Sequence, residues 1–412
     1  MSRIHATTNF RDSGGVDLGQ KLITKDYLIS VYPSIGEKIG IPPELWTWGS
    51  NAQGQLGTNG GGSKSTPVTT SAGGTNWKQV DCGSIHTAAI KTDGTLWNWG
   101  DGSSGRLGIG VLAAVTNKST PVTTRAGGSN WKQVSCGNNH TAAIKTDGTL
   151  WTWGATTNGR LGNRRTILSI YTPVTTSAGG TNWKQVDCGS VHTAAIKTDG
   201  TLWVWGSGGN GRLGNGIITG NRSTPLTTFA GGTNWKQVSA GYWHTAAIKT
   251  DGTLWVWGNG FYGKLGNNST TNRSTPVTTF AGGSNWKQVS CGGNNSGPGH
   301  TAAIKTDGTL WTWGQGNRGQ LGDNTSTHRS TPVTTFAGGT NWKQVSAGGV
   351  HTAAIKTDGT IWIWGNGSSG QLGNGITTGG AATPVTTFAG GTNWKQVSGG
   401  GSHTAAIKSV DF

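Results

Sequence analysis

The sequence predicts an all-β fold: a seven-bladed β-propeller of four-stranded blades, closed by N- and C-terminal strands that share one blade. Three observations predict it. First, the stretch Trp183 to Gly206, WKQVDCGSVHTAAIKTDGTLWVWG, recurs with a period of about 52 residues, the length of one supersecondary unit. Second, seven copies are present. WKQV starts at Trp77, Trp131, Trp183, Trp235, Trp286, Trp342 and Trp394, and HTAAIK starts at His86, His140, His192, His244, His300, His351 and His403. Third, the chain enters the repeat at a paired-Trp segment, Trp46 to Trp48, and leaves it after HTAAIK. The last blade is therefore assembled from both ends, which removes the open edges that a β fold must otherwise protect. A solenoid would need atypical capping repeats, and none is visible.

Residues 1–40 stand outside the repeat and read as an N-terminal docking arm; the propeller occupies 41–412. Thr24 to Tyr32 carries the marks of a short helix, with Thr24 as N-cap, Asp26 in the first turn and Pro33 as a stop. Tyr27, Leu28, Val31 and Tyr32 would share one face. That face either packs on the side of the ring or docks to a neighbouring subunit. Within each unit, strand A is WKQV plus two residues and strand B is HTAAIK. Strand C is the paired-Trp segment, with period-two alternation. Thr-Asp-Gly-Thr joins B to C as a tight hairpin with Gly in the left-handed position. Strand D, as at Ser223 to Thr228, contains Pro, which cannot donate to a ladder and so marks the outer edge.

Composition agrees with a Gly-rich β fold. Apolar content is only 32% and there are 74 Gly, a balance that can mean disorder. The 22 Trp argue otherwise, because each ring buries a large area. The formal charge is +16 and is spread around the ring. An anionic partner, such as a lipopolysaccharide, an acidic glycan or nucleic acid, fits that charge; so do lysines that merely keep the sheets soluble. Cys82, Cys136, Cys188 and Cys291 fill one repeat position. Packed sheets stand roughly 10 Å apart, beyond disulfide reach, so these read as small, buried, reduced residues, compatible with a cytosolic origin. No secretory signal or membrane-spanning run is expected.

The pattern G-x-x-H-T-A-A-I-K-T-D-G-x-[LI]-W-x-W-G-x-x-x-x-G-[QRK]-L-G resembles the regulator of chromosome condensation repeat. The resemblance covers about nine tenths of the chain. It implies a seven-bladed propeller closed by the termini. The founding member promotes nucleotide exchange on a small GTPase and binds chromatin, using a wedge-like insertion with no counterpart here. The longest departure is Gly292 to Gly299. The leader Gly15 to Pro33, followed by L-W-T-W-G, is similar to leaders of repeat proteins in virions of marine bacteriophages.

In up-and-down blades, A–B and C–D loops leave on one face, and B–C and D–A loops on the other. The second face is constant, with Thr-Asp-Gly-Thr and Ala-Gly-Gly-[TS]-Asn in every unit that has them. Variation collects on the first: Tyr242-Trp243 and Gly293 to Gly299 among A–B loops, Asn163 to Tyr171 and Asn267 to Arg273 among C–D loops. Loops on a rigid scaffold commonly carry binding. The candidate face is Tyr242, Trp243, Phe261, Tyr262, Arg160, Arg164 and Arg165, since aromatics and Arg anchor interfaces; drift in unconstrained loops would also vary them.

Catalytic chemistry is not expected. The Trp pairs, such as Trp203 and Trp205, read as interblade core. The His ring reads as structural, bonded to backbone, because ring-related positions do not converge on a metal. Gly258-x-Gly260-x-x-Gly263 mimics a dinucleotide fingerprint but opens no helix. No carboxylate pair has glycosidase spacing, and no cofactor or metal is called for. The function expected from sequence is a non-enzymatic propeller displayed on a phage particle for host-surface adhesion or decoration. Its arm would contact other virion proteins and its variable face a host-surface protein or anionic glycan. The alternatives are an intracellular module of the chromatin and GTPase type, where nucleic acid is a less favoured partner, and a lectin.

Overall fold

The computed structural model describes residues 43–110, 116–294 and 299–409. Among them, twenty-eight strands, β1 to β28 in chain order, form seven four-stranded antiparallel sheets. The first contiguous blade shows the rule: β3 (Trp77–Cys82), β4 (His86–Lys91), β5 (Leu96–Gly100) and β6 (Lys118–Thr123) pair in that order. The B–C hairpin is held by Asp93, whose carboxylate accepts the Thr95 N–H at 2.9 Å and the Thr95 hydroxyl at 2.7 Å. Strand A of each blade touches strand A of its neighbours, so it is innermost. The Pro-bearing strand D ends every sheet, as an edge must.

The seventh blade combines β2 (Lys64–Thr69), β1 (Glu44–Gly49), β28 (His403–Lys408) and β27 (Trp394–Gly399) in that order. Leu45 pairs with Ile407 and Trp48 with Thr404, in unbroken register over six residues. The expected closure is present.

Between blades the core repeats. Trp183, Val186 and Trp205 pack on Ala142, Ile144 and Leu150 of the preceding blade. Trp183 meets Trp205 edge-on, with ring centroids 6.2 Å apart, a favoured aromatic geometry. Only the second Trp of each pair is wholly interblade core. Trp203 is half-buried, and the Lys197 ammonium covers it at 4.7 Å. The ring packs against the edge of the interblade cluster, and the lysine caps it.

Polar contacts between blades form closed rings. Gln79 accepts the Val134 N–H at 3.0 Å and donates to the Val134 carbonyl at 2.9 Å; the series runs round to Gln396 and Val80. A second ring joins His to Thr. His192 Nε2 lies 2.9 Å from Thr245 Oγ1, whose own proton goes to the Arg212 carbonyl at 2.9 Å. The hydroxyl has one proton to give, so the imidazole donates from Nε2, and burial favours its neutral form. The backbone partner expected for the seven imidazoles is thus replaced by the threonine hydroxyl of the next blade, because the backbone at this height is engaged in the strand ladders. Trp257 Nε1 donates to the same Arg212 carbonyl at 2.9 Å. That carbonyl belongs to the G-x-L-G segment of a C–D loop, which therefore seals the groove to the following blade. The seal needs glycine. Gly162 has φ 65°, and a Cβ there would come within 2.8 Å of Trp205 Nε1.

The four cysteines are free and buried at the ends of inner strands. Burial first, then the nearby Asp81 carboxylate, pushes the Cys82 and Cys136 thiols up, which leaves them unreactive.

Candidate functional site on the variable face

The fourth contiguous blade, built on strands Trp235–Ala240, His244–Lys249, Leu254–Gly258 and Arg273–Thr278, gathers the aromatic residues. Its A–B loop presents Tyr242 and Trp243, with ring centroids 4.8 Å apart. The Asn259 N–H donates to the Trp243 carbonyl at 2.9 Å and ties this loop to the C–D loop. The C–D loop carries Phe261, 52% exposed, and Tyr262, with rings 4.1 Å apart. Lys264, from the same loop, holds its ammonium 5.3 Å above the Trp243 ring.

Tyr262 has a left-handed backbone, φ 63°. Ser104, Asn158 and Asn210 occupy the same position in sister loops, with φ of 57°, 64° and 59°. Asn and Ser tolerate that conformation; a bulky aromatic rarely adopts it. In two sisters the side chain makes a loop-to-loop hydrogen bond, Asn221 to Asn158 and Asn272 to Asn210, each 3.2 Å. Here the corresponding contact is a ring stack, Tyr262 on His328 of the next blade at 4.0 Å. Tyr242, Trp243, Lys264, Phe261, Tyr262 and His328 thus share one sector of the face.

The basic candidates divide. Arg160 is not an exposed anchor: it is 4% exposed, donates to the Thr157 carbonyl at 2.9 Å and reaches the Ser190 carbonyl at 3.2 Å. Its own carbonyl accepts Thr193 and Trp205. It is a groove residue because it fills the x of G-x-L-G. Arg164 and Arg165 are exposed, but on a C–D loop separated from Tyr262 by the intervening Gly208–Gly220 loop, so they stand apart from the aromatic group. The arm residues Tyr27, Leu28, Val31 and Tyr32 lie outside the described residues.

Sequence reasoning missed Lys264 and His328. The available signal was the x of G-x-L-G, which is Arg106, Arg160, Arg212 and Lys264 in four successive blades and Gln320, Gln371 and Gln55 in the other three. Burial first, then Arg212, lowers the Lys264 ammonium to about 7. Burial, partly offset by Tyr242, lowers Arg212 to about 10.

Other strongly shifted groups serve the frame. Burial first, then Asp187, raises Asp81 to about 7. Its carboxylate accepts the Cys136 N–H at 2.7 Å and the Ser398 hydroxyl at 3.0 Å, joining blades on both sides. The Gly292–Gly299 departure sends Asn294 Nδ2 to the Gly401 carbonyl at 3.0 Å, reaching past one blade at the axial mouth. Among the described residues, no helix is long and apolar enough to cross a membrane, and no three His, Cys, Asp or Glu gather as metal ligands.

Fold and loops together define a closed seven-bladed propeller whose sequence variation collects on one face. The family model of the RCC1-like domain matches residues 44–406, and the chain belongs to that family. It is 33% identical over 333 residues to the ultraviolet-B receptor UVR8 of Arabidopsis thaliana, covering 80% of this chain and 74% of that one. It is 28% identical over 369 residues to the human E3 ubiquitin-protein ligase HERC2, covering 88% of this chain but 8% of HERC2. The solved structure of human WBSCR16 has the same fold, with TM-score 0.76 at 21% identity, covering 90% of this chain and all of that one. So does yeast RCC1 (Prp20), with TM-score 0.76 at 19% identity and 89% of each chain covered.

Proposed function

We propose that this chain is a protein-binding module that recognises its partner through the aromatic sector of the variable face. Tyr262 carries the reading. A bulky residue in a left-handed backbone, where the three sister loops with the same backbone use Ser104, Asn158 and Asn210, is strain of the kind that functional sites retain. It presents an aromatic pair beside Trp243 and Tyr242, in the manner of an interface anchor. The solved propellers support the class of partner: yeast RCC1 (Prp20) is described bound to Kap60, and Prp20p with binding to Gsp1p and histones.

The test is affinity capture from extracts of the source cells, quantified by mass spectrometry. A double variant, Trp243→Ala with Tyr262→Ala, should lose the captured proteins. Phe280→Ala, at a site 68% exposed on the D–A side, should retain them. Identical capture by all three forms would refute the assignment.

Display on a phage particle through residues 1–40 is a finer proposal, resting on the Gly15–Pro33 leader alone. Mass spectrometry of purified virions decides it, since absence from particles would defeat it. A glycan array separates a lectin from a protein binder.

A further inference from the structure

The constant face carries a second feature, independent of the aromatic sector. Lys78, the second residue of WKQV, lies at a β-bulge: the register shifts between Trp77 and Gln79 against Lys91 and Ile90. The same shift occurs in the other six inner strands, and the lysine at it is exposed in all seven. A bulge leaves its extra residue unpaired and re-aims its side chain. Because the inner strands surround the axis and each lysine sits at the same bulge of its strand, the seven occupy equivalent positions round the ring.

Charge on this face is sorted by radius. The second repeat lysine, typified by Lys91, is covered by Trp77 and Trp97 at 4.9 and 4.7 Å. The hairpin Asp of each contiguous blade, typified by Asp93, lies farther out and is committed to Thr95. The charge that each of these carboxylates feels is the Trp-covered lysine of its own hairpin, not the inner one. Among the described residues no carboxylate lies within ion-pair distance of an inner lysine. Seven exposed like charges on one ring favour a counter-charge at its centre.

We propose that this lysine crown is a binding site for one compact polyphosphate anion per ring, seated on the axis at the constant face. Cations spaced round a circle surround one centre, at the reach of long side chains and not at metal-ligand distance. A nucleic acid duplex offers a line of phosphates and would engage few of them at once, so the geometry favours a short, highly charged ligand.

Isothermal titration with inorganic tripolyphosphate tests this. The chain should bind it with 1:1 stoichiometry, and added salt should weaken the binding. A triple variant, Lys78→Glu, Lys184→Glu and Lys287→Glu, should bind about a hundredfold more weakly. A charge-matched control, Arg165→Glu, Arg273→Glu and Arg318→Glu, alters exposed arginines of the variable-face loops and should bind within about threefold of the parent at 0.15 M salt, where remote charges are screened. Thermal melts of both variants establish that they fold. Equal loss in the two variants, a stoichiometry above one, or no binding by the parent would overturn the proposal. So would crown-dependent binding of duplex DNA or anionic vesicles without binding of tripolyphosphate.

Discussion

His403 Nε2 lies 2.9 Å from Thr87 Oγ1 although 316 residues separate them. Thr87 passes its proton to the Gln55 carbonyl at 2.8 Å, and Trp99 donates to the same oxygen at 2.9 Å. This junction repeats, atom for atom, the one between His192, Thr245 and Arg212 in the middle of the chain. The ring therefore has no weak joint in its polar contacts.

Thr87→Val removes two buried hydrogen bonds and strands an imidazole N–H, at a cost of about 1–3 kcal/mol. Thr245→Val should cost the same, because its surroundings are the same. Urea unfolding of both variants measures this. A much smaller loss for Thr87→Val would mean that the terminal blade does not hold the ring shut.

Acid should weaken the protein before the ordinary carboxylate range is reached. Burial holds all seven ring imidazoles below their ordinary value, with His192, His300 and His403 at about 3 and His351 at about 4. Unfolded histidine titrates near 6.5. Below that pH the unfolded chain binds protons that the folded one refuses, so stability falls as pH drops from about 6.5 towards 4. Asp81 works the other way: raised to about 7, it favours the folded state below its unfolded value and loses that advantage as pH rises from about 4 to 7. Asp187 is raised too. Seven histidines outnumber two aspartates. The urea midpoint should be lower at pH 4.5 than at pH 7.5, and a midpoint that is unchanged or higher would contradict the neutral-imidazole ring.

Lys264→Gln should stabilise the fold at neutral pH. The substitution places at Lys264 the residue that Gln320, Gln371 and Gln55 supply in sister loops. The carbonyl that accepts Thr301 and Trp313 is backbone and stays. The buried ammonium, lowered to about 7, costs stability increasingly as pH falls from its unfolded value near 10.4 towards 7. The gain in melting temperature should therefore be larger at pH 7 than at pH 10. A gain independent of pH would assign it to packing instead of charge.

Much of this fold was legible because the repeat constrains it. Period, strand order, the Pro edge and the shared blade follow from the spacing of Trp77, His86, Trp97 and their copies, and from the phase in which the chain enters and leaves the repeat. The site was legible only in part. Tyr242, Trp243, Phe261 and Tyr262 differ visibly from their sister positions. Arg160 misled because a charged residue in a variable loop reads as exposed, whereas G-x-L-G turns that side chain into the interblade groove. His328 escaped because its partner, Tyr262, is 66 residues away and one blade over, a proximity that spacing within a single unit does not reveal. In the sequence the two repeat lysines look alike; only the bulge shows that the inner set differs from the Trp-covered one.

The claim on which the rest depends is that head and tail of the chain share a blade. Hydrogen exchange at Ala405 and Ala406 tests it most directly, because β28 is an inner-sheet strand only if β1 pairs with it. Protection should equal that of Ala194 and Ala195 in the strand His192–Lys197, which is flanked on both sides within one contiguous unit. Fast exchange at alternate amides of β28, as on an unpaired edge, would contradict the closed ring.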